Sequence, residues 1–303
     1  MTLKKSNLTA LAGASLIAIA TAAPASAEVF GNVGFTGGFN SAREVDVSTG
    51  QDKQNVSFGI INGEFAYHFG SGATVAVDGF YRFDGFGGGG GNTFSSTEDP
   101  QSEFTVGVHV SANVGQNARA GLFFGYGDTT PQDGDKTDAY DVAMVGVEHL
   151  FFLADNVMSY AQVAAGSKVR PGEDVDEGFN MGAVVRFGTV WFRTEDHSYT
   201  LDVEVAGSSN YIDSSDPGIF FGVTLSGEKQ LGFDSAPMAL TYFARYDFLS
   251  ATDEGDNIEE LQVGVGLKLL FGNKSKREAY RAGASLGTPR LPTRASAWTE
   301  WMD

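Results

Sequence analysis

The sequence predicts an all-β protein: a transmembrane, antiparallel up-and-down β-barrel of about twelve strands, followed by a C-terminal tail outside the barrel. Three observations predict this fold. Apolar residues alternate with small, polar or charged residues at a period of two. Most of the alternating segments are long enough to cross a bilayer as tilted strands, which takes about 9 to 11 residues. The connections between the segments alternate between long and short.

An export signal precedes the alternating segments. Lys4 and Lys5 form a positive n-region, residues 8–23 form an apolar h-region, and Ala-Ser-Ala at residues 25–27 is a cleavage motif. We therefore predict that residues 1–27 are a cleaved signal peptide rather than an anchor, since the apolar stretch is short for a spanning helix. The remaining sequence has no second run of about 18 apolar residues, which excludes a helical inner-membrane protein.

The composition excludes several classes of site. The 303 residues include 40 glycines and no cysteine, and the formal net charge is −18. The lack of cysteine excludes disulfides and cysteine-ligated metals, and the negative charge is unfavourable for binding nucleic acid. The glycine run at residues 87–91 lacks the lysine of a phosphate-binding loop, and no metal motif is present. We expect no cofactor, no metal site and no nucleic-acid partner.

The alternation is clearest in the last segment, where Leu261, Val263 and Val265 alternate with Gln262 and Gly264. One face of such a strand is apolar and the other is polar or small. The twelve segments span residues 29–39, 56–69, 73–84, 103–113, 118–127, 139–152, 157–166, 178–192, 198–208, 219–229, 238–248 and 259–271.

Two of these segments have an ambiguous register. Ile60 and Ile61 in the second segment, and Phe151 and Phe152 in the sixth, place apolar side chains on both faces. Segment boundaries inferred from periodicity are also uncertain by two to four residues. A count of ten or fourteen strands is therefore left open beside twelve.

The first connections between segments differ sharply in length. A long loop at residues 41–54 is followed by the short connection 70–72, then by the long loop 85–100 and the short connection 114–117. Outer-membrane barrels have long extracellular loops and short periplasmic turns in this order. The later connections differ less in length. An even number of strands would place both chain termini in the periplasm.

Aromatic residues at the segment ends complete the pattern. Tyr81, Phe83 and Tyr126 lie at the loop side, and Phe69 and Trp191 lie at the turn side, as expected for two membrane-interface belts. With its strand lengths and loop alternation, the region 28–271 resembles Gram-negative outer-membrane β-barrel proteins of the porin-like kind. The resemblance implies a place in the outer membrane, with membrane lipid and lipopolysaccharide as its surroundings.

The last strand resembles the assembly signal of this family, an alternating strand that ends in Phe. The residues that match are Gly264, Gly266, Leu267, Leu269 and Phe271. The resemblance implies recognition by the barrel-assembly machinery. In the family this Phe is usually the final residue, whereas here the chain continues for 32 residues to Asp303.

Charged residues occur on the face of the strands opposite the apolar one. Charge on the lipid face is costly, about 2–4 kcal/mol near the midplane for Arg or Lys, so we predict that these residues line the lumen. They are Asp78, Arg82, Arg119, Arg186, Asp202, Glu204, Glu228, Arg245, Asp247 and Lys268. Glu64 and Glu148 belong to this face too if their uncertain register is resolved that way.

Two interpretations of this charged face remain open. Opposed charges across a water-filled pore would filter small hydrophilic solutes by size and charge as they diffuse through. Alternatively, the charges pair into a network that closes the lumen, since twelve strands lie between the filled eight-stranded barrels and the open sixteen-stranded ones. The first interpretation predicts a passive diffusion channel. The second predicts a non-conducting barrel with a structural or surface-interaction role.

A lipid-modifying enzyme is a third and more distant alternative. His109 and Ser111 lie on one face of a strand, like the His-x-Ser pair of outer-membrane phospholipases and lipid A deacylases, in which imidazole activates the hydroxyl. That family pair faces lipid and is oriented by an Asn or Glu about twelve residues later. Here His109 is predicted to face inward, and Phe123 lies at the later position. We therefore predict that the protein is not an enzyme.

The tail, residues 272–303, differs from the barrel in charge. It has six basic and three acidic residues, whereas residues 28–271 have 12 basic and 35 acidic residues. Pro289 and Pro292 oppose a continuous helix. We predict a flexible periplasmic extension. Two alternatives are left open: a basic segment that folds back into the acidic lumen as a gate, or a motif with Trp298 and Trp301 that docks to a periplasmic partner.

Overall fold

The computed structural model describes residues 27–45, 53–84, 102–130, 140–169, 181–209, 217–232, 237–251, 257–272 and 274–296. Residues 1–26 of the predicted signal peptide, most residues of the predicted long loops, and Trp298 and Trp301 lie outside these ranges. The strands are β1 (Glu28–Val45), β2 (Lys53–His68), β3 (Ala73–Asp84), β4 (Ser102–Asn113), β5 (Ala118–Thr130), β6 (Tyr140–Ala154), β7 (Val157–Lys168), β8 (Met181–Thr194), β9 (His197–Ser208), β10 (Gly218–Leu231), β11 (Met238–Ala251) and β12 (Asn257–Phe271).

The twelve strands form one closed barrel in which each strand pairs antiparallel with its neighbours in sequence. β1 closes the barrel against β12, so that Phe35 lies opposite Leu267 on one side and Ile61 on the other. Closure satisfies the main-chain hydrogen bonds of both edge strands, which is what allows a sheet to span a bilayer. The predicted barrel and its twelve strands are confirmed.

Several strands are longer than predicted. β1 continues to Val45, beyond the predicted limit at residue 39, because β12 runs on opposite it to Asn257. Main-chain hydrogen bonding between neighbouring strands extends these strands past the end of the apolar alternation. This pairing leaves no local signal in the sequence.

The two faces of the wall are as the alternation predicts. On the outer face, Leu122, Val145 and Val265 each have more than 60% of their surface accessible in the isolated chain. The ambiguous pairs are also resolved, since Ile60 is buried inside while Ile61 is exposed outside. In β6 the inner residue is Phe152 and the outer one is Phe151, which places Glu148 inside.

Two short helices follow the barrel: α1 (Lys276–Ala282) and α2 (Leu291–Ser296). We call residues 274–296 the C-terminal segment. We call the barrel end with the short connections, such as residues 155–156, the turn end, and the opposite end the loop end. Among the described residues, no helix is both long and apolar enough to cross a membrane.

The C-terminal segment runs through the barrel from the turn end toward the loop end. At the turn end, Arg277 donates to the main-chain oxygen of Asp155 at 3.2 Å. Further along, Leu291 is fully buried among Phe220, Leu249 and Ile258, which lie near the loop ends of β10, β11 and β12. The described residues of the tail thus pack inside the barrel, which differs from the flexible extension that the sequence predicts, while the periplasmic location of the tail stays a prediction. The placement matches the alternative of a basic segment that folds back into the acidic lumen.

Candidate functional site

All ten charged residues predicted to line the lumen lie on the inner face of the wall. Three of them, Asp78, Arg186 and Lys268, are partly exposed. The other seven are buried: Arg82, Arg119, Asp202, Glu204, Glu228, Arg245 and Asp247. Charged side chains this deeply buried are normally paired. The partners of these groups therefore define the site.

Near the loop end, two arginines hold clusters of carboxylates. Arg245 lies 2.8 Å from Asp247 and 3.4 Å from Glu204. Arg82 lies 2.8 Å from Asp84 and 3.4 Å from Glu260. Asp247 and Asp84 lie on the same strand as their arginine, whereas the pairs with Glu204 and Glu260 join strands that are not neighbours in the barrel.

In the middle of the barrel, His109 lies between two carboxylates. Its Nε2 is 2.7 Å from Asp78 and its Nδ1 is 2.9 Å from Glu148. The hydroxyl of Ser111 instead accepts a hydrogen bond from Arg119 at 3.2 Å. The imidazole and this hydroxyl thus have separate partners, and their arrangement is not that of a nucleophile and its base.

The C-terminal segment is held through its main chain. Three carboxylates of the wall accept hydrogen bonds from main-chain N–H groups spaced three residues apart. Glu64 accepts from Ser285 at 2.5 Å. Asp78 accepts from Thr288 at 3.1 Å, and Glu204 accepts from Leu291 at 2.8 Å.

Side chains of the wall also donate to carbonyl groups of the segment. Arg186 donates to the main-chain oxygens of Leu286 at 2.8 Å and Gly287 at 2.9 Å. Gln162 donates to the same Gly287 oxygen at 3.1 Å. The remaining contacts of this kind are Arg119 to Arg281, Thr74 to Ala282, and Thr129 to Thr293.

Basic residues of the segment pair with carboxylates of the wall along its whole length. Arg290, in the inner part, lies 3.2 Å from Glu103 and with its guanidinium 3.5 Å from the ring centre of Phe80. The other pairs are Lys274 with Glu28 at 2.6 Å, Lys276 with Glu228 at 3.5 Å, Arg277 with Glu195 at 2.8 Å, and Arg281 with Asp155 at 3.8 Å. The opposite charges of tail and barrel are thus matched in space.

Glycines of β4 and β5 make room for the segment. A Cβ atom on Gly125 would lie 2.6 Å from the Thr288 methyl group, and one on Gly107 would overlap the Thr288 hydroxyl. Likewise, a Cβ atom on Gly127 would lie 3.1 Å from Cβ of Thr293. Side chains at these three wall positions would therefore displace the segment.

The helix α1 has well-formed ends. Ser275 and Glu278 form a capping box, in which each side chain accepts from the main chain of the other. The main-chain N–H and the hydroxyl of Ser275 lower the pKa of Glu278. At the other end Gly283 has a φ of 91°, and a Cβ atom there would lie 2.5 Å from Arg119. The chain can therefore turn from α1 into the lumen at this glycine.

Little open space is left around the segment at the turn end. One cavity of about 110 Å³ lies between α1 and the wall, with Glu64, Lys268 and Tyr280 in its lining. Burial raises the pKa of the Tyr280 phenol. In the described part of the chain, no group of three or more His, Asp or Glu side chains is placed to hold a metal ion.

A larger concave area lies on the outside of the barrel. It has a volume of about 1900 Å³, and its lining includes Leu201, Leu225, Val263 and Val265. These side chains belong to the apolar outer face.

The predicted assembly residues of β12 lie on both faces. Gly264 and Gly266 are on the inner face, where Cβ atoms would crowd Thr36. Leu267, Leu269 and Phe271 are exposed on the outer face. Their role in assembly stays a prediction.

Sequence reasoning missed the residues of the segment that enter the lumen, above all Ser285, Thr288 and Leu291. It also missed Glu103, which is buried beside Arg290. The contrast in charge between tail and barrel was the one sequence signal that pointed to this contact.

No protein-family model matches this sequence, and no curated protein matches it. Among solved structures, an outer membrane channel from Pseudomonas putida F1 is 11% identical, with a TM-score of 0.53 over 82% of this chain and 97% of that chain. The KdgM porin is 8% identical, with a TM-score of 0.42 over 77% and 99% of the two chains. The P. putida toluene transporter TodX is 9% identical, with a TM-score of 0.44 over 83% and 91%. The first likeness shows the fold, which is that of an outer-membrane β-barrel.

Proposed function

We propose that the protein is an outer-membrane channel for the passive diffusion of small hydrophilic solutes, and that its own C-terminal segment closes the channel. The observation that carries this proposal is how the segment is held. Its contacts with the wall are mainly polar, through Glu64, Asp78, Arg186 and Glu204. When the segment leaves, these side chains line a charged, hydrophilic passage that filters solutes by size and charge.

The outer face supports the proposed location. Residues such as Leu122, Val145 and Val265 are exposed there, and burying them in lipid is favourable by about 25 cal/mol per Å². In this proposal membrane lipid and lipopolysaccharide surround the barrel, the barrel-assembly machinery inserts it, and both termini lie in the periplasm. A periplasmic partner that binds the end of the tail would then be able to draw the segment out.

A non-conducting barrel is the second candidate. It is favoured by the burial of Asp247, Glu260 and Gln262, each of which has no exposed surface. In that case the ion pairs and the segment form a permanent core, and the protein acts through its surface or its mechanical stability.

Conductance in planar bilayers separates the two candidates. The full chain is purified folded, with a protease site inserted after Gly272, and is measured before and after cutting. Circular dichroism and heat-shifted gel mobility check that the barrel stays folded. If the channel proposal is right, stable ohmic steps appear or grow once residues 273–303 have left. If the cut and emptied barrel shows no conductance, the channel proposal is rejected and the non-conducting barrel is favoured.

A further inference from the structure

The lumen holds the C-terminal segment largely through main-chain groups, which every peptide has. Carboxylates of the wall accept from three N–H groups of the main chain, and Arg186 and Gln162 donate to its carbonyl oxygens. Side chains of the segment do not take part in these bonds. A sugar or an inorganic ion does not present N–H donors and carbonyl acceptors at such regular spacing.

The contacts recur every three residues along an irregular part of the chain. Residues 284–290 have neither helix nor strand structure. The N–H groups that bond to carboxylates are three residues apart, and within 282–291 the partly exposed positions 284, 287 and 290 also recur every three residues. Gly287, between the first two of these donors, has a φ of 80°, so the chain turns there and does not keep one polyproline II conformation. The wall therefore matches a main chain without helix or strand that turns at a glycine.

Two positions add side-chain selectivity. Arg290 lies between the carboxylate of Glu103 and the ring of Phe80, an arrangement that favours a guanidinium through both charge and cation–π attraction. Leu291, next to it, fills an apolar space beside Phe220 and Ile258. Around Thr288, the glycines Gly107 and Gly125 admit nothing larger than a small side chain.

We infer that the lumen is a binding site for basic oligopeptides in a non-helical conformation and that the C-terminal segment is its intramolecular ligand. This inference rests on the proposed function and specifies it: the solutes that compete for the emptied channel are short peptides with an Arg-Leu pair preceded by small residues. The segment and such a peptide would exclude each other, because both need Glu64, Asp78 and Glu204.

The test uses the full-length folded protein with the protease site after Gly272 and the substitution Arg290→Ala, which weakens the hold on the cut segment. After cutting and washing, mass spectrometry verifies that residues 273–303 have left. A fluorescent synthetic peptide with the sequence of residues 282–293 is then titrated, and its binding is followed by anisotropy. The inference expects saturable binding at roughly micromolar concentration and block of any conductance over the same range.

Two changes, each with a matched control, test the mode of recognition. N-methylation of the peptide at Ser285, Thr288 and Leu291 removes the donors to the wall, and we expect a loss of affinity of about tenfold or more. N-methylation at Ala284 is the control, because that N–H bonds within the segment, to Ala279, and not to the wall. Glu103→Gln in the barrel should weaken binding of the peptide, whereas Glu259→Gln, in an exposed pair with Arg43, should not.

The outcomes separate the two proposals. No saturable binding up to about 1 mM overturns the inference and leaves the channel proposal intact if the emptied barrel conducts. The same holds if the peptide N-methylated at Ser285, Thr288 and Leu291 binds as tightly as the unmethylated peptide. Binding to a folded barrel that does not conduct supports the peptide site and rejects the channel.

Discussion

Arg290 of the C-terminal segment reaches across the lumen to Glu103 on β4, and their nearest charged atoms are 3.2 Å apart. Glu103 is 1% exposed. A carboxylate at such a depth is costly without a nearby cation. This pair therefore links the stability of the barrel interior to the position of the segment.

Removing this cation should loosen the segment. For Arg290→Ala we expect a loss of docking free energy of up to about 3 kcal/mol, since the buried Glu103 loses one of its charged partners. Hydrogen exchange at residues 283–291 measures the effect. Arg277→Ala is the control, because its pair with Glu195 is exposed and exposed pairs contribute about 1 kcal/mol or less. Equal exchange in both variants would contradict the assigned role of Arg290.

A small side chain on the wall should have a similar effect by steric means. Gly107→Ala places a methyl group where the Thr288 hydroxyl lies, so we expect the segment to become accessible to proteases while the barrel stays folded. Thr288→Ala in the same chain should largely restore protection. Gly79→Ala is the control, because its nearest neighbour beyond the adjacent residues is 4.0 Å away. Protection that is unchanged in Gly107→Ala would show that the segment does not pack there.

The ion cluster near the loop end should stabilise the barrel itself. Arg245→Ala removes the cation that pairs with the buried carboxylates of Asp247 and Glu204. We therefore expect the free energy of unfolding to fall by about 3–5 kcal/mol. Denaturant titration with heat-shifted gel mobility measures it. Arg43→Ala removes an exposed pair with Glu259 and should cost about 1 kcal/mol or less. If the two variants lose similar amounts of unfolding free energy, burial of the Arg245 ion pairs does not add to the stability of the barrel.

The barrel could be predicted from the sequence because its physics is periodic. A wall with lipid on one side must alternate, so the inward position of Arg82, Asp202 and Lys268 followed from counting residues along each strand. For ambiguous pairs such as Ile60 and Ile61, the sequence did not show which residue faces inward, and the pairing between strands was needed to decide it. There the inner position is apolar as well, so alternation gives no answer.

The route of the tail could not be predicted in the same way. Its main contacts use main-chain groups of Ser285, Thr288 and Leu291, which every sequence has, so they leave no pattern in the residue types. The net charge of the tail indicated an acidic partner but not its place. Pro289 and Pro292 excluded a long helix and were equally compatible with a flexible chain.

We propose that the C-terminal segment closes the lumen by lying within it. A disulfide between the segment and the wall tests this most directly. The chain has no cysteine, so Gly127→Cys with Thr293→Cys introduces a single pair. A Cβ atom at Gly127 would lie 3.1 Å from Cβ of Thr293, near the roughly 3.5–4.5 Å that a disulfide needs. Gly79→Cys with Thr293→Cys is the control, since Gly79 faces outward.

The measurement is the single-channel conductance of this double variant with the chain cut after Gly272, under oxidising and then reducing conditions. The account predicts that the disulfide forms, that the oxidised protein stays closed although it is cut, and that reduction opens it. Failure of the cysteines to join in the folded barrel, or equal conductance before and after reduction, would contradict it.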